Sequence, residues 1–168
     1  GKREIMKLGS IETIGQERVF LLSTTHGAEM NSLGAFIESV KFIKNNAVIE
    51  HIWDYGRKLI HLINEVARDY GVEKSFIAGG IECCPYYSTF DKYGQNSLGL
   101  RTLFAQEMIK NGILMPWIAI SYAHGEKELN MTRNALEKTF AVYKNAVLEG
   151  YDKYLVGEVI KPVFRKYN

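Results

Sequence analysis

The sequence predicts a mixed α/β or α+β domain: a small, mainly antiparallel sheet covered by several helices. Three observations carry this expectation. Two long stretches, about 49–70 and 126–150, place apolar residues at helical spacing. Short continuous apolar runs such as Val19-Phe20-Leu21-Leu22 stand between turn signals, in the manner of buried strands. About four such strands against five helices argue against a doubly wound sheet.

Taken in chain order, Arg3 to Leu8 reads as a short helix and Val19–Leu22 as a strand. Ser23-Thr24-Thr25 follows, then His26-Gly27; three hydroxyl residues ahead of a helical stretch read as a cap. Glu29 to Lys44 is helical, with Leu33, Ile37, Val40 and Ile43 on one face, and Asn45-Asn46 breaks it. The next helix runs from about Ile49 to Tyr70 on a stripe of Ile52, Leu59, Leu62, Ile63, Val66, Ala67 and Tyr70, with Gly71 as its C-terminal glycine. Ser75 to Cys84 and Tyr86 to Phe90 read as strands, with Asp91-Lys92-Tyr93-Gly94 as the turn beyond. Asn96 to Asn111 is a helix burying Leu100, Leu103, Phe104 and Met108, closed by Gly112. Ile113 to Met115 and Ile118 to Tyr122 read as short strands split by Pro116, which cannot donate to a ladder. Glu126 to about Gly150 is a long helix carrying Leu129, Leu136, Phe140, Tyr143 and Val147, and the aromatic and basic tail adds a short helix before Pro162.

Composition narrows the function classes. With 46% apolar and 24% charged residues over 168 positions, the chain is ordinary globular protein, not a disordered one. A net charge of +2 supplies no strong field toward nucleic acid or anionic lipid. The longest apolar stretch, Gly112 to Tyr122, is too short to span a bilayer. Gly1-Lys2-Arg3-Glu4 leads into no apolar h-region, so a cytoplasmic setting without nucleic-acid or membrane partners is expected. Cys83 and Cys84 are adjacent and make no disulfide scaffold; the simplest reading packs one inward and leaves the other at a strand edge. The histidines, His26, His51, His61 and His124, show no zinc spacing.

Chemistry-bearing candidates are few. A strand–Ser-Thr-Thr-His-Gly–helix junction offers hydroxyls and free backbone N–H groups that suit a phosphate, although such residues cap many helices that bind nothing. Lys41 and Lys44 read as solvated. Glu82 reads as a strand-edge carboxylate, and His124-Gly125 as a cap or turn at the end of a strand. Trp117 reads as core or as the lip of a pocket. No Ser-His-Asp order, glycine-rich phosphate loop or HExxH motif is present.

Several segments together resemble one family. Gly1-Lys2-Arg3-Glu4-Ile5-Met6 resembles a G-x-R-x-x-M segment of class III pyridoxal-phosphate aminotransferases. Thr25-His26-Gly27-Ala28-Glu29-Met30 stands where that family has T-x-G-G-N-P or T-x-S-G-N-P, with Glu29-Met30 in place of Asn-Pro. Ile109 to Pro116 resembles its x-x-G-[VI]-x-[LM]-x-P entry to the last strands, and Ser121 to Leu129 is similar to its S-x-A-H-x-x-E-D-I run. The likeness covers residues 1 to about 148 and is greatest to the glutamate-1-semialdehyde aminomutase group.

The resemblance implies the C-terminal portion of a pyridoxal-phosphate-dependent transferase fold: 1–35 as the end of the large domain, 36–150 as the small domain and 151–168 as a tail. The lysine that forms the Schiff base with pyridoxal 5'-phosphate lies upstream in such enzymes, so this chain by itself carries no catalytic residue and is expected to be inactive. Thr25, aided by Thr24, matches the threonine that reaches the cofactor phosphate across a homodimer interface, a position that the physics of a helix N-terminus favours. Trp117 falls on the substrate side. The implied partners are a second subunit and a small-molecule amino donor and acceptor. The implied activity is amino-group transfer, with an aminomutase (isomerase) or a non-catalytic α/β oligomerisation or binding module as alternatives. The segment Pro116-Trp117-Ile118 is shorter than the aminomutase counterpart, which weighs against the mutase reaction.

Overall fold

The computed structural model describes residues 2–7 and 29–161, and the chain divides into two compact units, Gly1–Asn46 and Ala47–Asn168. The expected strand at Val19–Leu22 and the Ser23-Thr24-Thr25 cap lie outside the described residues.

Two described helices belong to the first unit: α1 (Arg3–Lys7) and α2 (Met30–Asn45). The spacing that predicts α2 is present, yet no residue of it is buried. Lys41 and Lys44 are exposed, and Lys41 pairs with Glu38 at 2.7 Å. The break after α2 falls where the asparagines place it. Asn46 Nδ2 donates to the Phe42 carbonyl, and Ala47 takes the left-handed conformation at φ 48°.

In the second unit α3 (Val48–Asp69) supplies the longest apolar stripe, burying Leu59, Leu62, Ile63, Val66 and Ala67 as its spacing predicts, together with Tyr55. It stops at Gly71, whose φ of 71° suits a residue without Cβ. There the Val72 N–H returns to the Ala67 carbonyl and the Gly71 N–H to that of Arg68, the paired bonds of a Schellman motif. The chain then enters β1 (Phe76–Ile81) and turns through Glu82-Cys83 into β2 (Cys84–Thr89). The strands pair antiparallel, Phe76 opposite Thr89, Ala78 opposite Tyr87 and Ile81 opposite Cys84. Alternation sends Phe76, Ala78, Pro85, Tyr87 and Thr89 inward and leaves Ile77, Ile81, Cys84 and Tyr86 on the outer face.

The hairpin is shorter than expected, and it corrects the reading of the cysteines. Neither packs inward: Cys83 sits half-buried in the turn and Cys84 is exposed on the outer face. Glu82 lies in the same turn rather than on a strand edge, where its carboxylate reaches Arg57 Nε at 3.4 Å. The turn backbone rests on α3 at Gly56, where a Cβ would overlap the Glu82 carbonyl.

Helix α4 (Leu98–Lys110) starts on Ser97, whose hydroxyl accepts the Leu100 N–H at 3.1 Å, and ends in a second Schellman motif at Gly112. Helix α5 (Glu126–Glu149) closes the unit, burying Leu129, Leu136, Phe140 and Tyr143. Beyond it a 3-10 turn (Tyr151–Lys153) is the only helical structure of the described tail, where a short helix before Pro162 was expected. The tail crosses α4: Tyr151 lies over Gly99, Gln106 bonds both the Tyr154 carbonyl and the Val156 N–H, and Thr102 accepts from Ile160.

Among the described residues the second unit is a small α+β domain, a two-stranded antiparallel sheet against three long helices. Segments 113–115 and 118–122, expected as strands, are irregular. Their backbone is held by side chains instead of a ladder. The Tyr87 hydroxyl donates to the carbonyls of Met115 and Pro116, and Arg101 bridges the carbonyls of Tyr87 and Pro116 while lying 4.5 Å over the Tyr87 ring. On the other edge of the sheet Asn64 gives its amide to the Ala78 carbonyl and accepts the Ala78 N–H, at 2.9 and 3.0 Å. Among the described residues no helix is long and apolar enough to cross a membrane.

The core centres on Phe76, whose ring meets those of Tyr87, Phe104, Phe140 and Tyr143 at centroid distances of 4.4 to 5.9 Å. Truncating Phe76→Ala is expected to cost about 3–5 kcal/mol of unfolding free energy in urea titration. Gly56→Ala is expected to cost about 1–3 kcal/mol, because the Glu82 backbone in its way cannot swing aside as a side chain would.

Candidate functional site

Two of the concavities in the second unit lie between α3 and the start of α5. The first, about 460 Å³, follows the surface of α3 and α5 and is lined by Arg57, Lys58, Glu65, Glu126 and Arg133 among others. Its charges answer one another: Arg133 meets Glu65 at 3.1 Å and Lys58 meets Glu126 at 3.5 Å. Arg133 holds the Glu65 carboxyl below the usual range, and Asp54 raises the Lys58 ammonium. This groove reads as helix-to-helix bracing.

The second, about 240 Å³, has a different character. Its walls come from α3 (Tyr55, Leu59), from the irregular segment (Ile113, Leu114, Met115, Trp117, Ile118) and from the start of α5 (Glu128, Met131, Thr132), with His124 between the last two. Leu114 and Trp117 are 80% and 69% exposed, which puts them at its rim. The lining contains no lysine or arginine; its one carboxylate is Glu128.

The first turn of α5 sets the polar end. Glu128 stands three residues after Gly125 and accepts the Gly125 N–H at 2.9 Å, the reach-back half of a capping box. That bond keeps the Glu128 carboxyl below its ordinary pKa, with Lys127 and His124 adding to the effect. Thr132 Oγ1 donates to the Glu128 carbonyl one turn on. His124 lies in the turn ahead of the helix, with no strand before it. Its Nδ1 accepts the Ser121 N–H at 3.3 Å, so the neutral ring carries its proton on Nε2. Its carbonyl bonds His51 Nε2 at 2.8 Å, and its ring lies 5.5 Å from that of Tyr55.

Tyr55 is the unusual member. The residue is only 5% exposed, yet its hydroxyl makes no hydrogen bond among the described residues. No fully sealed side-chain polar atom among those residues lacks a partner, so this hydroxyl opens onto reachable space, and Tyr55 is among the residues that line the cavity. Burial, with the charges of Glu128 and then Glu126, pushes the hydroxyl up to about 12, so it is protonated at neutral pH and can both donate and accept a hydrogen bond.

Of the residues singled out from sequence, Trp117 and His124 meet at this cavity. Thr24 and Thr25 lie outside the described residues. Tyr55, Glu128 and Thr132 were not anticipated. Tyr55 stands four residues before Leu59 on the α3 stripe, and Glu128 three residues after a helix-opening glycine, so both carry a readable signal of burial or capping but none of a shared cavity. With a carboxylate and no cation, the donor set does not suit the phosphate of pyridoxal 5'-phosphate, and the resemblance assigns that contact elsewhere, to Thr24 and Thr25. Among the described residues no group of three or more His, Cys, Asp or Glu side chains could hold a metal ion.

Burial also raises the hydroxyl pKa of Tyr143 and, against the pull of Arg101, of Tyr87. An acid with a raised folded-state pKa favours the fold below the unfolded value of about 10, and that stability drains away as pH climbs toward the folded value. Unfolding free energy is therefore expected to hold to about pH 10 and fall beyond it. In a phenolate absorbance titration, Tyr55→Phe should remove a step near 12 that exposed tyrosines do not show.

No family model, curated protein or solved structure matches the chain.

Proposed function

We propose that the chain is the C-terminal part of a pyridoxal-phosphate-dependent aminotransferase, moving an amino group between a donor and a carbonyl compound. The reading rests on the ordered likeness of four segments to class III aminotransferases. The observation that carries it beyond sequence is the outer face of the sheet. Ile77, Ile81 and Tyr86 stand largely exposed there on two paired strands. A two-stranded sheet is marginal in water, and large apolar side chains exposed together on one of its faces are ordinarily covered by an interface. Cover by the large domain of a longer enzyme accounts for it. On this reading residues 36–150 supply the small domain, Thr25 with Thr24 contacts the cofactor phosphate of the partner subunit, the catalytic lysine belongs to the preceding domain, and the protein works as a cytoplasmic homodimer.

A non-catalytic module is favoured by one observation, that Ala47–Asn168 has a closed aromatic core of its own. The two readings separate on the size and activity of the natural polypeptide. With a C-terminal tag on the native gene, the enzyme reading expects a band well above 19.1 kDa. The purified longer polypeptide then binds pyridoxal phosphate and turns over an amino donor, and residues 1–168 alone do neither. A natural product of 19.1 kDa that binds no cofactor overturns it and leaves the module.

A further inference from the structure

We infer that the cavity between α3, the 113–118 segment and the first turn of α5 is a binding site for a small amphipathic amine, its ammonium set between Glu128 and Tyr55 and its apolar body against Leu59, Ile113 and Met131. The inference stands on the second unit alone and does not depend on the aminotransferase reading.

Four features select this ligand class. Size comes first: a cavity of roughly 150 Å³ accommodates benzene, and this one is about 240 Å³, room for an aromatic ring with a short amino-bearing arm. Charge comes next. Glu128 is the one carboxylate in the lining and no lysine or arginine accompanies it, so an anion is repelled and a cation gains a partner at the polar end. The third feature is the Tyr55 hydroxyl, on a residue only 5% exposed and without a hydrogen-bond partner among the described residues, which leaves its lone pairs for an N–H donor. Finally, Tyr55 and Trp117 both line the same space, and aromatic rings attract an ammonium group. Leu59, Met115 and Ile118 are buried beside them and give the organic body a dry wall.

The site is preorganised because its polar groups are fixed for structural reasons. Glu128 is held by the cap of α5, and Tyr55 by the α3 stripe and the His124 ring. Binding therefore costs little ordering of side chains.

The test is calorimetric titration of the 168-residue chain with three probes of one shape: 2-phenylethylamine, 2-phenylethanol and 3-phenylpropionate. The amine is expected to bind ~10-fold or more tightly than the alcohol, as one charge-assisted hydrogen bond allows, and the acid not at all. Glu128→Gln keeps an acceptor for the Gly125 N–H, so the helix start survives while the charge goes. It should bring amine and alcohol to equal affinity. Tyr55→Phe, which leaves the packing in place, should weaken the amine by ~3- to 10-fold and the alcohol less. Equal binding of all three probes, binding of none at millimolar concentration, or an undiminished preference for the amine in a Glu128→Gln chain with unchanged circular dichroism would overturn the proposal.

Discussion

Everything in the second unit hangs on the ring of Phe76. A two-stranded sheet offers few inward positions, and the first of them is this residue, opposite Thr89 at the open end of the hairpin. Phe76 stacks on Tyr87 across the strands, meets Phe104 of α4, and meets Phe140 and Tyr143 of α5 edge-on. One side chain thus joins four others from the sheet and two helices, and α3 closes the same core through Ile63 and Val66. Aromatic pairs in these tilted and edge-on arrangements add to plain area burial. The Tyr143 hydroxyl then ties the cluster to the backbone at the Ser75 carbonyl, at 2.9 Å. So small a sheet has no independent stability, and it persists because its first residue is the hub of a helical core.

What was legible in the sequence follows from which forces are local. The stripes of α3, α4 and α5 are periodic, and the periodicity survives folding because each helix buries one face. Gly71 and Gly112 mark helix ends because the left-handed conformation there is a property of the glycine and its own turn. The segment around Pro116 was read wrongly because its backbone partners come from far along the chain. An apolar run beside a proline looks like an edge strand, but the Tyr87 hydroxyl and Arg101 guanidinium reach its carbonyls first, and no spacing rule anticipates a side chain 15 or 28 residues distant. The adjacent cysteines fail for a simpler reason. Alternation applies only inside a strand, and the turn begins at Glu82, so Cys83 has no assigned face.

The candidate site was half legible. His124 and Trp117 stood out by type and position, whereas Tyr55 looked like one more residue on a helix that already had its stripe. Glu128 shows why such sites hide. Its position is dictated by the cap of α5, a structural duty, and the same duty places a carboxylate in the lining of an apolar hollow. A group placed by the folding requirement becomes available to chemistry without any motif to announce it.

Asn64 has a consequence beyond the bond lengths of its amide. By taking both the N–H and the C=O of Ala78, it performs at one residue what a third strand would perform along its length. The middle of that border is thereby spent, and across the hairpin the Tyr87 and Thr89 carbonyls are likewise taken, by Arg101 and by the Ser97 N–H. A foreign strand seeking to extend the sheet would find these main-chain groups already engaged. Association of this protein through its hairpin is therefore steered to side-chain recognition across the Ile77–Tyr86 face and away from open-ended main-chain templating, the route by which small bare sheets polymerise.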